Sequence, residues 1–354
     1  MKIAFLSPGN SIHTVKWVNE ISFRGHEVFL ITMHPPKELL NKGINCINLP
    51  FSAPAGYYLN GPILKRILNK IKPDILNTHY ASGYGTLARL SGFHPSLLSV
   101  WGSDVFDFPF QSRMTLRLIR KNLEEADFIA STSHVMQKQT ESILKTPKEI
   151  AVTPFGIDCK QFSPMGNNRN NEKLRIGTVK SLAPKYGISC LIEAFNLAVK
   201  KGLKNAELVL VGGGPQENEL KELTINLGID KYVSFVGAVP HSEVPRWLNS
   251  FDIYVALSQS ESFGVAILEA SACELPVIVS NVGGLPEVVV NRETGFIVGR
   301  EDNEAAAAKI LELVNNNELR SNMGHKGRNF VLKNYEWSCC VDKMECLYER
   351  IISR

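Results

Sequence analysis

The sequence lacks the features of a membrane-spanning or secreted protein. In its 354 residues there is no window of about 18 apolar residues, the length that a transmembrane helix needs. The first apolar run ends at Pro8 and is too short for the core of a signal peptide. The seven cysteines are scattered, without a CxxC pair or a Cys/His cluster at zinc-ligand spacing, which argues against a disulfide framework. We therefore expect a cytoplasmic protein.

The sequence also has little excess of charge of either sign. Its 39 basic and 35 acidic residues give a net charge of +4, too small for a dedicated nucleic-acid-binding protein. The charge is unevenly distributed, because residues 1–165 carry 18 basic and 12 acidic side chains, while residues 166–354 carry 21 and 23. This imbalance predicts that anionic partners meet the first half of the chain.

Short apolar runs alternate with helical patterns along almost the whole chain. In the first half the apolar runs are KIAFLSP, HEVFLIT, DILNTHY, SLLSVWG and ADFIAST. In the second half they are LRIGTVK, AELVLVGGG, YVSFVG, FDIYVAL, LPVIVS and TGFIVG. Strands that alternate with helices form parallel sheets with helices on both faces. The pattern and the length therefore predict an α/β protein of two doubly wound units.

A segment without apolar periodicity separates the two halves. It runs from Pro154 to Leu174 and is rich in Pro, Gly and Asn, which is typical of a flexible linker. We predict an N-terminal domain over residues 1–165, a C-terminal domain over residues 166–336, and a final helix over residues 337–354. This helix can pack back on the N-terminal domain or on the other one, and the sequence does not decide. Ligands of such sheets bind beyond the carboxyl ends of the strands, so we expect the site in a cleft between the domains.

One segment of the second half combines two acids with the start of a helix. Glu261 and Glu269 lie eight residues apart, and a helical apolar pattern begins at Phe263 with Ser262 as the predicted N-cap. The backbone N–H groups at such a helix start lack partners and suit a diphosphate. Here they belong to Phe263, Gly264 and Val265.

The alternative is that Glu261 is a surface acid and Glu269 an ordinary helix acid. Glu269, however, lies inside the apolar run AILEASA. An unpaired buried carboxylate is energetically costly, so we expect Glu269 to have a polar partner.

Two further loops follow predicted strands of the second half. In LVLVGGGP, Gly212 and Gly213 fit a close backbone approach to a phosphate or a base, or else a tight turn that needs positive φ. In TVKSLAPKYGI, Lys180 and Lys185 can neutralise a diphosphate leaving group as point charges, or else they are solvated surface lysines.

Together these residues resemble retaining glycosyltransferase family 4. The resemblance rests on Lys180, the glycines from 212 to 214, the pair Glu261 and Glu269, and the turn Gly283-Gly284 before Pro286-Glu287. It covers nearly the whole chain, and the E-x7-E stretch followed by GG-x-PEV is its most specific part. It implies the GT-B fold, in which two Rossmann-like domains face each other across a cleft, and a nucleotide-sugar donor, here expected to be a UDP-sugar.

The resemblance also implies roles for individual residues of the second half. Glu261 would contact the donor sugar, Glu269 the ribose, and the backbone of residues 263–265 the diphosphate and the sugar. Lys180 stands where the family usually has an arginine, and Lys185 lies one place before the family's usual lysine. Which of the two lysines holds the diphosphate therefore stays open. The segment FVGAV would line the base pocket with Val236, Gly237 and Val239. The family generally needs no metal, and no metal-binding DxD motif suggests one here.

In the first half, the resemblance places acceptor-side contacts in two loops. Gly9 remains from the family's usual glycine pair, and His13 at the start of the first helix would touch the acceptor or a phosphate, or else cap the helix. The element WGSDVF resembles the family's HG-x-D element with tryptophan in place of histidine. Asp104 would then face the cleft and bind a sugar. His79, after another strand, would face the cleft or be structural.

A basic helix of the first half is a candidate membrane contact. Arg113, Arg117 and Arg120 recur at helical spacing, with Met114 and Ile119 expected to face the protein. This face suits anionic membrane lipid or a lipid-diphosphate acceptor, or else it is simply solvated. A position at the inner face of the membrane is therefore part of the expectation.

The sequence thus predicts a retaining, metal-independent glycosyltransferase that moves a sugar to a hydroxyl of a glycan or lipid-linked glycan in surface polysaccharide biosynthesis. A sugar-nucleotide 2-epimerase of the same fold and a non-catalytic nucleotide-sugar-binding protein are the alternatives. A dinucleotide oxidoreductase is disfavoured, because GNSIH and not GxGxxG follows the first strand. The sequence separates neither UDP from GDP or ADP, nor one acceptor from another.

Overall fold

The computed structural model describes residues 1–166 and 173–353 and divides them into two units. The first unit comprises Met1–Pro154 together with the chain from Ser338 onward, and the second comprises Phe155–Trp337. Part of the predicted linker, residues 167–172, lies outside the described residues. Among the described helices we find none with the length and apolar character that crossing a bilayer requires.

Within residues 1–154 a parallel sheet of seven strands forms the centre of the first unit, in the spatial order β3-β2-β1-β4-β5-β6-β7. The strands are β1 (Lys2–Leu6), β2 (Glu27–Thr32), β3 (Asn45–Asn48), β4 (Ile75–His79), β5 (Ser96–Val100), β6 (Phe128–Ser131) and β7 (Ile150–Val152). The inner strands β4 and β5 are buried along their whole length, as expected for strands covered on both faces. The edge strands β3 and β7 have no counterpart among the predicted runs.

Helices cover both faces of this sheet. They are α1 (Ile12–Phe23), α2 (Gly56–Leu59), α3 (Gly61–Ile71), α4 (Gly83–Ser91), α5 (Ser103–Phe106), α6 (Arg113–Glu125) and α7 (His134–Ile143). Local sequence fixes their ends: a capping box of Ser112 and Thr115 begins α6, and Gly92 in the left-handed conformation ends α4.

Within residues 173–337 the second unit repeats the plan with six parallel strands in the order β10-β9-β8-β11-β12-β13. The strands are β8 (Leu174–Val179), β9 (Ala206–Val211), β10 (Val233–Gly237), β11 (Ile253–Ala256), β12 (Val277–Ser280) and β13 (Gly295–Val298). Its helices are α8 (Ile188–Lys200), α9 (Glu217–Asn226), α10 (Val244–Asn249), α11 (Val265–Ala272), α12 (Leu285–Val288), α13 (Asn303–Asn315) and α14 (Asn317–Asn334). The prediction of two doubly wound α/β units is confirmed.

The final helix, α15 (Trp337–Ile352), packs on the first unit apart from its first residue. The buried Tyr348 hydroxyl accepts a hydrogen bond of 2.6 Å from the Asn77 amide on β4. Arg24, after α1, pairs with Glu345 at 2.6 Å. The structure thereby shows that the final helix packs on the first unit, which the sequence left open.

The boundary between the units falls at residue 154, earlier than the predicted 165. The segment after it packs on the second unit, because the Phe155 ring contacts the Phe263 ring edge-on at 6.2 Å. Ile157 bridges to Glu336, and the buried Phe162 contacts His241 with ring centroids 5.6 Å apart. Large apolar side chains at 155, 157 and 162 give this stretch a core contact that its Pro and Gly content concealed.

In both units the strand order reverses once, between β1 and β4 in the first and between β8 and β11 in the second. Loops on opposite sides of such a reversal diverge and leave a crevice at the carboxyl ends of the two strands, where ligands of doubly wound sheets bind. Lys180, Glu261, His13 and His79 lie in or next to these loops, whereas Asp104 follows β5 and Gly212 and Gly213 follow β9.

Candidate functional site

A buried ion pair lies at the strand-order reversal of the second unit. Lys180 follows β8 and Glu261 follows the neighbouring β11, and their Nζ and Oε2 atoms are 2.6 Å apart. Only 11% of the Lys180 side chain and 16% of the Glu261 side chain are exposed. Burial disfavours the Lys180 ammonium, but the Glu261 carboxylate outweighs it, and the pKa of Lys180 is raised. Lys180 is therefore a fixed cation at neutral pH.

Helix α11 begins shortly after this pair, at Val265, with Gly264 as its N-cap at φ 112°. This corrects the predicted start at Phe263 with Ser262 as the cap. In the described chain the backbone N–H groups of Val265 and Ala266 have no hydrogen-bond acceptor. They form an anion site with the positive end of the helix dipole.

The later start of α11 is explained by the glycine turn after β12. The Gly284 N–H donates to the Glu261 carbonyl oxygen at 3.0 Å. Gly283 has φ 49°, and a Cβ atom there would lie 1.8 Å from the same oxygen. The glycine pair thus holds the backbone at Glu261 in an irregular loop, which explains why the resemblance includes both motifs.

Both candidate lysines contact one aromatic ring. The Nζ atoms of Lys180 and Lys185 are each 4.8 Å from the centroid of the Tyr186 ring, within cation–π range. The Lys185 side chain is exposed, and its carbonyl oxygen accepts the Gln259 N–H at 2.8 Å. Sequence reasoning noticed Tyr186 only as a departure from the family pattern. Its position between a lysine and a glycine was the available signal.

Glu269 lies one turn further along α11 and is buried. Its Oε1 atom is 3.0 Å from Nε2 of His241, which confirms the expectation that this carboxylate has a polar partner. His241 begins a 3₁₀ turn directly after the segment FVGAVP. Sequence reasoning missed it, although the need for a partner and a histidine near the predicted base pocket together indicated it.

The glycine loop after β9 supports the lysine loop from the other side. A Cβ atom at Gly212 would lie 1.9 Å from the Lys180 carbonyl oxygen, and Gly212 has φ 142°. Its N–H donates to the Gly237 carbonyl oxygen at 2.8 Å. Gly212 therefore fits the tight-turn interpretation. A Cβ atom added at Gly213 would lie no closer than 3.6 Å to a backbone atom of the described residues beyond its chain neighbours, so Gly213 stays a candidate for ligand approach.

The strand-order reversal of the first unit has different groups. His79 ends β4 and is buried, and its Nδ1 atom is 2.8 Å from Oγ of Ser7, the residue after β1. Ser7 also bonds to Thr14 at 2.7 Å. Burial, with a smaller effect of the charge of His13, lowers the pKa of His79 to about 3, so the ring is neutral. His79 is thus structural, and it stacks on Trp101 with ring centroids 4.0 Å apart.

Of the three predicted site residues of the first unit, His13 is half-buried, with its ring 6.1 Å from Trp101. The Gly9 N–H already donates to Oγ1 of Thr32 at 3.0 Å. Asp104 is 2% exposed. These positions leave His13 as the candidate among the three for contact with a ligand.

Both carboxylate oxygens of Asp104 accept hydrogen bonds from backbone N–H groups of the protein. Its Oδ2 atom accepts the Ala81 N–H at 2.7 Å, and its Oδ1 atom accepts those of Trp101 and Gly102 at 3.1 and 2.8 Å. Burial raises the pKa of Asp104, although these bonds oppose the rise. The expectation that this carboxylate faces a bound sugar is therefore corrected: Asp104 ties the loop after β4 to the loop after β5.

The remaining predictions concern surfaces. Val236 and Val239 are half-buried at the carboxyl end of β10. On α6, Arg113 and Arg117 are exposed, but Arg120 donates to the Ile143 carbonyl at 2.7 Å. Met114 is 78% exposed, contrary to the expectation that it faces the protein. Within residues 1–166 and 173–353 no group of three or more His, Cys, Asp and Glu residues is arranged to hold a metal ion.

Comparison with known proteins places the chain among glycosyltransferases. Residues 160–330 match the family model "Glycosyl transferases group 1", and residues 2–133 match "Glycosyl transferase 4-like". The chain is 31% identical to the capsular polysaccharide biosynthesis glycosyltransferase CapM of Staphylococcus aureus, over 82% of this chain and 80% of CapM. It is 26% identical to the N-acetyl-alpha-D-glucosaminyl L-malate synthase of Bacillus anthracis, over 97% of this chain and 94% of that protein.

Among solved structures, HepE of Anabaena in complex with UDP matches the fold with a TM-score of 0.86 at 16% identity, over 99% of this chain and 100% of the other. At that identity the likeness concerns the fold alone.

Proposed function

This chain belongs to the glycosyl transferases group 1, and we propose that it transfers a sugar, with retention of anomeric configuration, from a nucleoside diphosphate to a hydroxyl of a glycan or lipid-linked glycan. The buried Lys180–Glu261 pair before the open N-terminus of α11 is the observation that carries this proposal. A fixed cation and free N–H donors at the strand-order reversal support this proposal, because ligands of doubly wound sheets bind at such a reversal.

The donor binds to the second unit in this proposal. The N–H groups of Val265 and Ala266 and the ammonium of Lys180 hold the diphosphate. Glu261 binds hydroxyls of the sugar, and Glu269 binds those of the ribose. The half-buried Val236 and Val239 line the base pocket. A UDP-sugar is the donor that we test first, because the structurally similar HepE has been solved with UDP.

Catalysis rests on stabilising the diphosphate as it departs. Preorganised positive charge acts strongly in a site from which water is excluded, and Lys180 with the start of α11 supplies it without a metal ion. Because the Glu261 carboxylate already pairs with Lys180, we assign it to donor binding and not to nucleophilic attack. The acceptor hydroxyl then attacks from the face that the diphosphate leaves and gives its proton to the departing diphosphate, so that the glycosidic bond forms with retained configuration.

The acceptor binds to the first unit, with His13 as the candidate contact. The likeness to CapM, whose name refers to capsular polysaccharide biosynthesis, supports a glycan of the cell surface as the product. We place the enzyme in the cytoplasm, at the inner face of the membrane.

Membrane contact is proposed through α6 and the turn before it. Phe110 and Met114 are 61% and 78% exposed, beside the exposed Arg113 and Arg117. Apolar side chains next to cations suit the interface of an anionic bilayer. Vesicles containing anionic lipid should co-sediment the protein, and an R113E/R117E variant should lose this binding. If the variant co-sediments as the wild type does, the membrane contact does not involve Arg113 and Arg117.

Two measurements test the main proposal. Thermal shift is recorded with UDP-, GDP- and ADP-sugars, because a ligand of the folded state raises its melting temperature. The sugar that binds is then incubated with and without glycan acceptors, and the product is identified by NMR. We expect acceptor-dependent transfer with retained configuration that is insensitive to EDTA. Conversion of the donor without an acceptor would indicate an epimerase, and binding without any turnover would indicate a sensor.

A further inference from the structure

The carboxylate of Glu269 is held from one side only. Its Oε1 atom is 3.0 Å from Nε2 of His241, and 9% of its side chain is exposed. A carboxylate has two oxygens that can each accept two hydrogen bonds. In the described residues no hydrogen bond to Oε2 is found. One oxygen is thus fixed by the protein while the other is available to a ligand.

The position of Glu269 on α11 suits a particular part of a nucleotide. Glu269 lies four residues after Val265, which corresponds to about 6 Å along the helix axis. The ribose of a nucleoside diphosphate is joined directly to the phosphate that the helix start would bind. The ribose hydroxyls are donors, and a buried carboxylate requires donors.

His241 is itself held in place. The buried Phe162 contacts its ring edge-on at 5.6 Å, and Pro240 precedes it with φ −60°. About 35% of the His241 side chain is exposed. His241 therefore comes from the segment that follows the predicted base pocket and reaches the acid that follows the predicted diphosphate site.

We propose that His241 is a positioning residue of the donor site, which orients Glu269 so that the free oxygen accepts the ribose hydroxyls and the site prefers ribose to 2′-deoxyribose. This inference rests on the proposed donor site. It adds that His241 determines this sugar preference without touching the reacting atoms. Without His241 the carboxylate loses its fixed partner and turns within its pocket.

The test compares the affinities of UDP and 2′-deoxy-UDP by calorimetry for four proteins: wild type, His241→Ala, His241→Gln and Glu269→Gln. A hydrogen bond to a charged group corresponds to roughly a tenfold preference or more, so wild type should prefer UDP by at least that factor. His241→Ala and Glu269→Gln should bind the two nucleotides almost equally. His241→Gln, whose amide nitrogen can replace Nε2, should keep most of the preference.

A matched control is available in the same unit. His325 on α14 pairs with Glu274 at 3.0 Å and is 60% exposed, and it makes none of the site contacts. His325→Ala should keep the wild-type preference. The double variant His241→Ala with Glu269→Gln should lose no more preference than either single variant, because both act on one interaction.

The outcomes separate the inference from the proposed function. If His241→Ala keeps the wild-type preference for UDP, the inference is wrong. It is also wrong if His241→Ala lowers the affinity for both nucleotides equally and lowers the melting temperature, because His241 is then only structural. If wild type binds UDP but Glu269→Gln keeps the preference, Glu269 is not the ribose contact and the inference is also wrong. If wild type binds no nucleoside diphosphate, including GDP and ADP, the proposed donor site fails and the inference with it.

Discussion

Six strands of each unit follow the same order, with a seventh strand in the first unit, but the groups at the two strand-order reversals differ in charge. In the second unit a lysine and a glutamate meet there, and a helix start with unpaired N–H groups follows. In the first unit a neutral histidine bonds to Ser7 and stacks on Trp101. Its nearby carboxylate, Asp104, is filled by backbone N–H groups. The second unit therefore presents a cation and unpaired N–H groups, while His79 and Asp104 of the first unit are hydrogen-bonded within the protein.

This difference shows that a shared fold fixes where a site lies but not what it binds. The topology brings loops together at the same edge in both sheets. Whether those loops bind an anion depends on particular side chains, because a fixed cation and free N–H groups attract a diphosphate while a neutral aromatic cluster does not. The predictions below test this contrast, starting with the largest expected effect.

Alanine substitutions of Lys180 and Lys185 should differ strongly in their effect on kcat. We expect Lys180→Ala to lower kcat by about 10²–10³-fold, because it removes a buried charge aimed at the leaving group. Lys185→Ala is the matched control, because Lys185 contacts the same ring but is exposed, and it should change kcat by less than about tenfold. We would measure kcat of both variants by steady-state kinetics, with the donor identified by thermal shift. Equal losses in both variants would contradict the assignment of the diphosphate contact to Lys180.

The glycine turn behind Glu261 should be the most sensitive backbone position of the second unit. In Gly283→Ala the new Cβ atom would meet the Glu261 carbonyl oxygen at 1.8 Å, so the loop must shift. We expect loss of nucleotide binding and a clearly lower melting temperature. Gly228→Ala is the control, because Gly228 also has a positive φ of 70° but nothing within 4 Å. It should lose only about 1–2 kcal/mol. Similar behaviour of both variants would contradict the role of the close contact.

Asp104→Asn and Glu261→Gln compare one carboxylate from each unit. In Asp104→Asn one of the acceptor atoms becomes a donor facing backbone N–H groups, which should cost about 1–3 kcal/mol of unfolding free energy. We expect it to lower the melting temperature and to leave donor KM unchanged. Glu261→Gln should instead change the donor KM and leave the melting temperature nearly unchanged. A specific kinetic defect in Asp104→Asn without a loss of stability would restore Asp104 as a ligand contact.

The buried histidine of the first unit should give a smaller, pH-dependent effect. His79 has a pKa of about 3 in the folded state and about 6.5 when unfolded, so the unfolded chain binds more protons between these values. The contribution of His79 is complete above pH 6.5 and is lost as the pH falls toward 3, at up to about 1.4 kcal/mol per pH unit. Urea unfolding at several pH values measures this slope. His79→Gln should reduce it, and an unchanged slope would contradict a neutral buried ring.

Much of the fold followed from sequence pattern. The runs from KIAFLSP to TGFIVG correspond to the inner strands of both sheets and to the edge strands β10 and β13, since strands covered on both faces read as continuous apolar runs. The edge strands β3 and β7 were missed because each offers little apolar signal, and β7 has only three residues. β3, with the sequence NCIN, is mostly exposed. The segment at 155–165 was misjudged because Pro and Gly hid three core contacts.

The candidate site was predictable only in part. The pair Glu261 and Glu269 and the lysine at 180 were recognisable because their spacing resembles a known family. Tyr186 and His241 were not, because their importance comes from contacts with residues 6 and 28 positions away. For the same reason, sequence alone could not show that Asp104 is filled by backbone groups at Ala81 and Gly102.

By itself the sequence determined the fold class and the family and predicted the acids of the candidate site, because apolar periodicity and motif spacing are local properties of the chain. Only the tertiary structure decided which unit receives α15, where α11 begins, and which carboxylates are occupied or available. These three features depend on contacts between segments that are distant in the sequence, such as the approach of Gly283 to Glu261. The hydrogen bonds that a polar group makes in such contacts determine whether that group can still bind a ligand.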